Sequence, residues 1–253
     1  MDLSNFDWGW MDEEGPKNHQ VKNFTTGEWG IGTFGEFHKS HIIDEIFTQK
    51  AYEKFCEVKE GDVVLDIGAS VGPFTYSILD KNPSKVVCIE PSPKEHSTLE
   101  NNTKNGPVTI IKKAIGPIDD KIILTDIFDG SYGQNKTPTE LDGIRFDTLI
   151  KENNIERINF LKTDCEGGEY DIFTPENIWW IKDNVDFIVG EWHLECSGKS
   201  YHKQFREFRD TYLRLFPNHE VYSVDGTNIK WDLWNEHFIK YYKHILIYID
   251  NRK

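Results

Sequence analysis

One stretch limits the folds open to this chain more than any other: Val63-Val64-Leu65-Asp66-Ile67-Gly68-Ala69-Ser70-Val71-Gly72-Pro73-Phe74. Its first half is a short apolar run rich in β-branched residues, the pattern of a buried strand in a parallel sheet. Its second half is small and flexible, and turns helix-like from Phe74. A strand that enters a glycine turn and then a helix suits a charged or phosphorylated cofactor. Gly68 and Gly72 lack a Cβ, so backbone and ligand can come close there. Asp66 stands at the end of the strand and is expected to point into the crevice at its carboxyl edge.

The spacing separates cofactor classes. A dinucleotide fingerprint needs a middle glycine where Ser70 stands, and a P-loop needs a terminal Gly-Lys-Ser/Thr that is absent. What remains is Asp-x-Gly-x-x-x-Gly, which resembles the S-adenosylmethionine (SAM) loop of class I methyltransferases. A second apolar run, Lys85 to Ile89, leads into Glu90-Pro91-Ser92. Glu90 follows the glycine loop by about 20 residues, the distance at which a ribose-binding acid is expected. An NAD-binding protein would use such an acid as well, so Glu90 alone leaves both classes open.

A third stretch narrows the choice. Phe160-Leu161-Lys162-Thr163-Asp164-Cys165-Glu166-Gly167-Gly168-Glu169 resembles the Lys-x-Asp-x-Glu-Gly-x-Glu signature of the FkbM family of SAM-dependent methyltransferases. With Leu65 to Ala69 and Ile89-Glu90-Pro91 upstream, the resemblance covers residues 60 to 195. It implies an α/β, Rossmann-like class I fold: a seven-stranded, mostly parallel sheet with an antiparallel last strand, helices on both faces and a small β-hairpin insertion. It further implies SAM as the methyl donor and an O-methylated sugar, glycan or small-molecule acceptor. On that basis Asp66, Gly68, Ala69, Ser70, Gly72, Glu90, Pro91, Ala114, Ile115 and Asp164 are expected to hold SAM. Two competing readings are an NAD-dependent sugar-modifying enzyme, against which the missing middle glycine counts, and a non-catalytic SAM-binding scaffold, which would have eroded motifs.

Composition bounds the partners. A formal net charge of -14 repels phosphate backbones and anionic bilayers alike, so neither nucleic acid nor membrane is the expected partner. No apolar run approaches the roughly 20 residues of a membrane span, and the first residues lack the pattern of a signal peptide. None of the 4 cysteines forms a Cys-x-x-Cys pair. They read as reduced thiols of a cytoplasmic protein.

Residues 1–40 carry Trp8, Trp10, Trp29, Phe34 and Phe37 without a clean period, and several glycines. They read as an irregular aromatic extension, packed on the domain or serving as a lid; residues 41–253 read as the methyltransferase domain. Helical spacing of apolar residues places a helix over 41–57. Further helices are expected over 93–105, 147–153 (capped by Asp147), 175–182 and 201–216, and strands over 108–116, 157–163, 185–190, 220–224 and 243–249. A hairpin with a flexible Gly130–Gly133 tip fills the stretch between.

In an open parallel sheet the ligand binds beyond the carboxyl ends of the strands. Asp66, Glu90, Asp164, Glu166, Glu191 and His193 all fall there. The first two belong to the SAM half. Methylating a hydroxyl needs an aligned oxygen, a proton acceptor and the exclusion of water. His193 is the expected base because imidazole titrates near neutrality, with Glu191 and Asp164 beside it. Glu166 and Trp192 are expected to meet the acceptor. Glu166 and Glu169 also suit the first turn of a helix. The resemblance requires no metal; the alternative donor set for a divalent ion would be Asp164, Glu191 and His193.

Overall fold

The computed structural model describes residues 3–23, 26–124, 138–196 and 198–252. Its centre is a 7-stranded sheet. The strands, in chain order, are β1 (Val63–Ile67), β2 (Lys85–Ile89), β3 (Val108–Ile111), β4 (Ile158–Thr163), β5 (Val185–His193), β6 (His219–Ser223) and β7 (His244–Asp250). In space they run β6-β7-β5-β4-β1-β2-β3. Every pairing is parallel except those of β7, which is wedged antiparallel between β5 and β6. Chain order turns back between β1 and β4, so their carboxyl ends flank the natural crevice of such a sheet.

Alternation along the strands explains the two cores. Leu65, Ile67, Leu161 and Ile188 pack on one face of the sheet. Val64, Val86, Phe160 and Phe187 pack on the other, against Phe74 of the helix that follows the glycine loop. That helix is α2 (Pro73–Ile78); α1 (Phe34–Ile42) precedes it, and α3 (Pro93–Thr103), α4 (Phe146–Glu152), α5 (Glu169–Ile172), α6 (Ile178–Asn184) and α7 (His202–Glu207) follow. The expected hairpin is present as Lys121–Leu124 paired antiparallel with Thr139–Ile144; its Gly130–Gly133 tip lies outside the described residues.

The amino-terminal stretch is more ordered than its composition suggests. His19–Lys22 pairs antiparallel with Trp29–Gly32. The helix expected over 41–57 starts at Phe34, because Thr33 and Glu36 form a reciprocal capping box. Gly35 does not break it: the glycine lies in the first turn, where a Cβ would stand 2.4 Å from the Met11 carbonyl oxygen. After Ile42 the helix widens into a π turn over Ile43–Thr48, and the left-handed Lys50 separates it from a short 3-10 turn at Ala51–Glu53. Phe6, Trp8, Trp10 and Met11 are buried against Val71 of the glycine loop. The backbone of Asp7 exchanges two 2.8 Å hydrogen bonds with the Asn102 side chain of α3.

Other boundaries shift for local reasons. The strand expected over 108–116 breaks after Ile111; Ala114–Ile115 instead joins Gly143–Ile144. At α4 the cap position is Arg145, and Asp147 pairs with its guanidinium rather than capping. The long helix expected over 201–216 is α7 followed by a π turn at Phe208–Tyr212 and a 3-10 turn at Leu213–Leu215. Strand β5 does not stop before Glu191 but carries Glu191, Trp192 and His193, because β7 gives them partners.

Candidate active site

The glycine loop is set from below. Asp66 is 0 % exposed, and its carboxylate is taken up by protein partners instead of standing open in the crevice as expected. Thr75 Oγ1 donates to its Oδ2 at 2.7 Å, and Lys162 Nζ lies 3.2 Å from its Oδ1. The same ammonium donates to the Gly68 carbonyl at 2.6 Å. Burial alone would lower the Lys162 pKa, but Asp66 and Asp164 outweigh it and hold the group firmly charged. Gly68 and Gly72 both adopt positive φ, +79° and +87°. A Cβ on Gly68 would stand 1.7 Å from the Asp164 carbonyl oxygen. The close approach that demands glycine is thus to the β4 backbone, not only to a ligand. Gly72 is needed against Leu99 and Thr103 of α3.

Above the loop sits Glu90. Its Oε2 accepts from Ser70 N at 2.8 Å and its Oε1 from Ser92 N at 2.7 Å. A carboxylate has about four acceptor positions, so each oxygen keeps capacity for a further donor. Burial, and then the neighbouring Glu95, push the Glu90 pKa up to about 8 against the pull of those two amides. Glu95 is buried too, and Trp10 Nε1 donates to it at 3.2 Å. The amino-terminal segment therefore covers this end of the loop, with Ala69 buried and Pro91 partly exposed beside it. Ala114 and Ile115 are buried, and Ile115 packs against Gly168.

The second half of the site lies where β4 and β5 end. Strand alternation sends Glu191 and His193 to one face and Trp192 to the other. Trp192 is 0 % exposed and stacks on Phe208, 5.0 Å between ring centroids. It belongs to the core and cannot touch an acceptor, contrary to expectation. His193 is nearly as buried, but its ring is held by Glu169: Nδ1 and Oε1 are 3.0 Å apart. Glu169 is itself fixed by the amides of Cys165 and Gly167, each at 2.9 Å. His193 Nε2 then faces Glu166 Oε2 at 3.4 Å, and Asp164 Oδ1 and Glu191 Oε1 each at 3.9 Å. Tyr52 donates its hydroxyl to Asp164 Oδ2 at 2.9 Å.

These acids change the chemistry expected of His193. Burial would lower its pKa, but Glu169, Glu166 and Asp164 raise it to about 11. The argument from an ordinary imidazole titrating near neutrality therefore does not carry over. Glu45, on the π turn after α1, is drawn into the same field: burial, then Glu191 and Asp164, push it up to about 8.

The structure brings Asp164, Glu166, Glu191 and His193 together, as the strand ends suggest. It adds Tyr52, Glu45 and His244, which belong to no motif, and it turns Glu169 from a first-turn acid into the partner of His193. His244 is the register partner of His193 across β5 and β7, and its Nδ1 touches Glu191 Oε1. Glu169 carries a signal that could have shown this role: a carboxylate three residues after Glu166, on a turn short enough to fold back on itself.

The methyltransferase FkbM domain model matches residues 66–216. A curated relative, Methyltransferase 1 of Beauveria bassiana (strain ARSEF 2860), is 26% identical over 198 residues, spanning 62% of this chain and 79% of the relative. Among solved structures, a putative rRNA-methylase from Clostridium thermocellum aligns with TM-score 0.49 at 12% identity, covering 83% of this chain and 96% of that one. An rRNA methylase from Streptococcus thermophilus aligns with TM-score 0.46 at 9% identity, covering 86% and 96%. The family match runs from the buried Asp66 of the glycine loop past Glu90, Asp164, Glu169 and His193 to residue 216, and the chain belongs to the FkbM family of methyltransferases.

Proposed function

We propose that this methyltransferase transfers a methyl group from SAM to a hydroxyl oxygen of a small-molecule or glycan acceptor. The observation that carries the reading is the convergence of Asp164, Glu166 and Glu191 on the one inward-facing nitrogen of His193. Carboxylates that crowd a single point are strong acceptors for hydroxyl protons and poor hosts for a phosphate backbone. The net charge of -14 speaks in the same direction.

The residues of the glycine loop fit SAM. Its backbone is bent by Gly68 and Gly72, leaving the segment Ala69-Ser70 and the spare acceptor capacity of Glu90, with Pro91, on one side. Bound there, SAM supplies an electrophilic methyl group on a sulfonium. Glu90 would take the ribose hydroxyls. Asp164, which borders Gly68 and also reaches His193, joins the cofactor half to the acceptor half.

The chain's own residues then divide the remaining work. Glu169 fixes the His193 ring, and His193 Nε2 orients the acceptor oxygen. Asp164 or Glu191, beside that nitrogen, takes the hydroxyl proton. Tyr52 keeps the Asp164 carboxylate in place. The Phe6–Met11 segment, seated on the loop, excludes water from the cofactor end. Incubation with radiolabelled SAM and a panel of sugars and hydroxylated small molecules tests the reading. Label recovered as a methyl ether supports it; label found on nitrogen or carbon, or no transfer by a protein that binds SAM, overturns it.

A further inference from the structure

We propose that Glu191, His193 and His244 form a binding site for one divalent first-row transition-metal ion, with Asp164 and Glu166 as further oxygen donors. The three principal ligand atoms all lie within 4.8 Å of one another. They come together for a simple reason. Glu191 and His193 are two residues apart on β5, so they share a face; His244 is opposite His193 on β7, so it shares that face too.

Around His193 Nε2 the spacing approaches that of an ion's surroundings, whereas His244 Nδ1 touches Glu191 Oε1 and the two would part to admit the ion. Nitrogen and oxygen ligands stand ~2.0–2.2 Å from such a metal, and two ligands on neighbouring corners of one coordination shell are then about 3.0–3.5 Å apart. His193 Nε2 has three carboxylate oxygens at 3.4, 3.9 and 3.9 Å, and none of these contacts is a hydrogen bond among the described residues. A nitrogen of a buried histidine that faces three oxygens and bonds none of them is placed as a ligand is placed.

The outer partners fit as well. Metal-binding histidines as a rule donate the second ring N–H to a carboxylate, which fixes both tautomer and orientation. His193 does so through Nδ1 to the fully buried Glu169. Asp164 is steadied by the Tyr52 hydroxyl, and Glu166 by the Cys196 thiol at 2.7 Å. Two imidazoles among carboxylates favour an ion such as Mn²⁺ or Zn²⁺ over an all-oxygen Mg²⁺ or Ca²⁺ cage. A site so placed would bind the acceptor's oxygen directly; that role rests on the hydroxyl-methylation reading, while the site itself does not.

Calorimetric titration of the metal-stripped full chain with Mn²⁺ and, separately, Zn²⁺ tests the proposal. One equivalent is expected to bind, and His244→Ala is expected to weaken it at least 10-fold. His244 is 40 % exposed, so its loss spares the core, and Glu191→Gln gives a second variant with the same expectation. Pulsed electron paramagnetic resonance of Mn²⁺ on the unaltered protein should show imidazole nitrogens in the coordination shell, independently of any variant. Failure of both ions to bind stoichiometrically, no nitrogen coupling, or unchanged affinity in His244→Ala would each overturn the proposal. Methyl transfer to a hydroxyl that persists in chelator without metal binding would sink the ion alone. A bound ion with label on carbon or nitrogen would sink the acceptor reading alone.

Discussion

Asp66 and Lys162 face each other in the register of β1 and β4, and their charged atoms meet at 3.2 Å with neither side chain more than 4 % exposed. This buried pair binds the two central strands together and, through the Gly68 carbonyl, sets the loop above them. Removing one partner of such a pair leaves an uncompensated charge, at a cost of ~3–5 kcal/mol. Lys162→Met should therefore lower the unfolding free energy by that order. Asp66→Asn added to it should recover part of the loss, since the stranded charge is gone. Chemical denaturation of both variants checks this; equal stability of wild type and Lys162→Met would refute it.

Gly68→Ala is expected to be severe for a reason internal to the protein. The new Cβ would stand 1.7 Å from the Asp164 carbonyl oxygen at a φ of +79°, so the β4 turn must move. Thermal stability and SAM affinity should fall together. A variant with wild-type melting but no SAM binding would instead mean that the glycine only makes room for the cofactor.

Glu169→Gln should act through His193. It removes the charge opposite Nδ1 while keeping the side chain's size, so SAM affinity should hold and kcat should fall by about 10–100-fold. Comparing kcat with the SAM dissociation constant in the same preparation separates this from general damage. An unchanged kcat would make Glu169 a packing residue only.

Glu90→Ala should weaken SAM binding by about 1–3 kcal/mol, the cost of leaving hydrogen-bond partners unsatisfied. Calorimetry with SAM reads this directly. Affinity equal to wild type would remove Glu90 from the cofactor site.

Glu90 also gives a pH signature to the ligand-free protein. Its pKa rises from 4.5 to about 8 on folding, through burial and Glu95. The folded state thus holds a proton that the unfolded chain releases above pH 4.5. The contribution is fully present below that pH and drains away as pH climbs toward 8. The melting temperature should decline across this window, and Glu90→Gln should flatten part of the decline. An identical slope in the variant would contradict the assignment.

Much of this was legible in the residues. The apolar run before Gly68, the acid at 90 and the acids after β4 and β5 mark strand ends, and a parallel sheet places strand ends together. The errors have physical causes. Trp192 sits between two polar site residues, and only the strand's continuation past residue 190 shows that alternation turns it into the core. Asp66 looks like a ligand because a carboxylate beside a glycine loop usually is one; the buried cation that claims it lies 96 positions later in the chain yet directly opposite in register. His244 is silent in sequence, since it reaches the site only through the insertion of β7. The capping box at Thr33 and Glu36 is readable in the sequence, but Gly35 between them lowers helix propensity and masks it.

The insertion of β7 has a consequence for how the protein comes into being. On the ribosome, the glycine loop, Glu90 and the β4 acids emerge while the sheet still lacks its antiparallel member. β5 and β6 cannot join, and His244 cannot reach Glu191, until residues 244–250 arrive to lie between them. Such late, non-local pairing is the slow step expected of this topology. The glycine-loop half of the candidate site can take shape early in synthesis; the half around His193 is closed by β7.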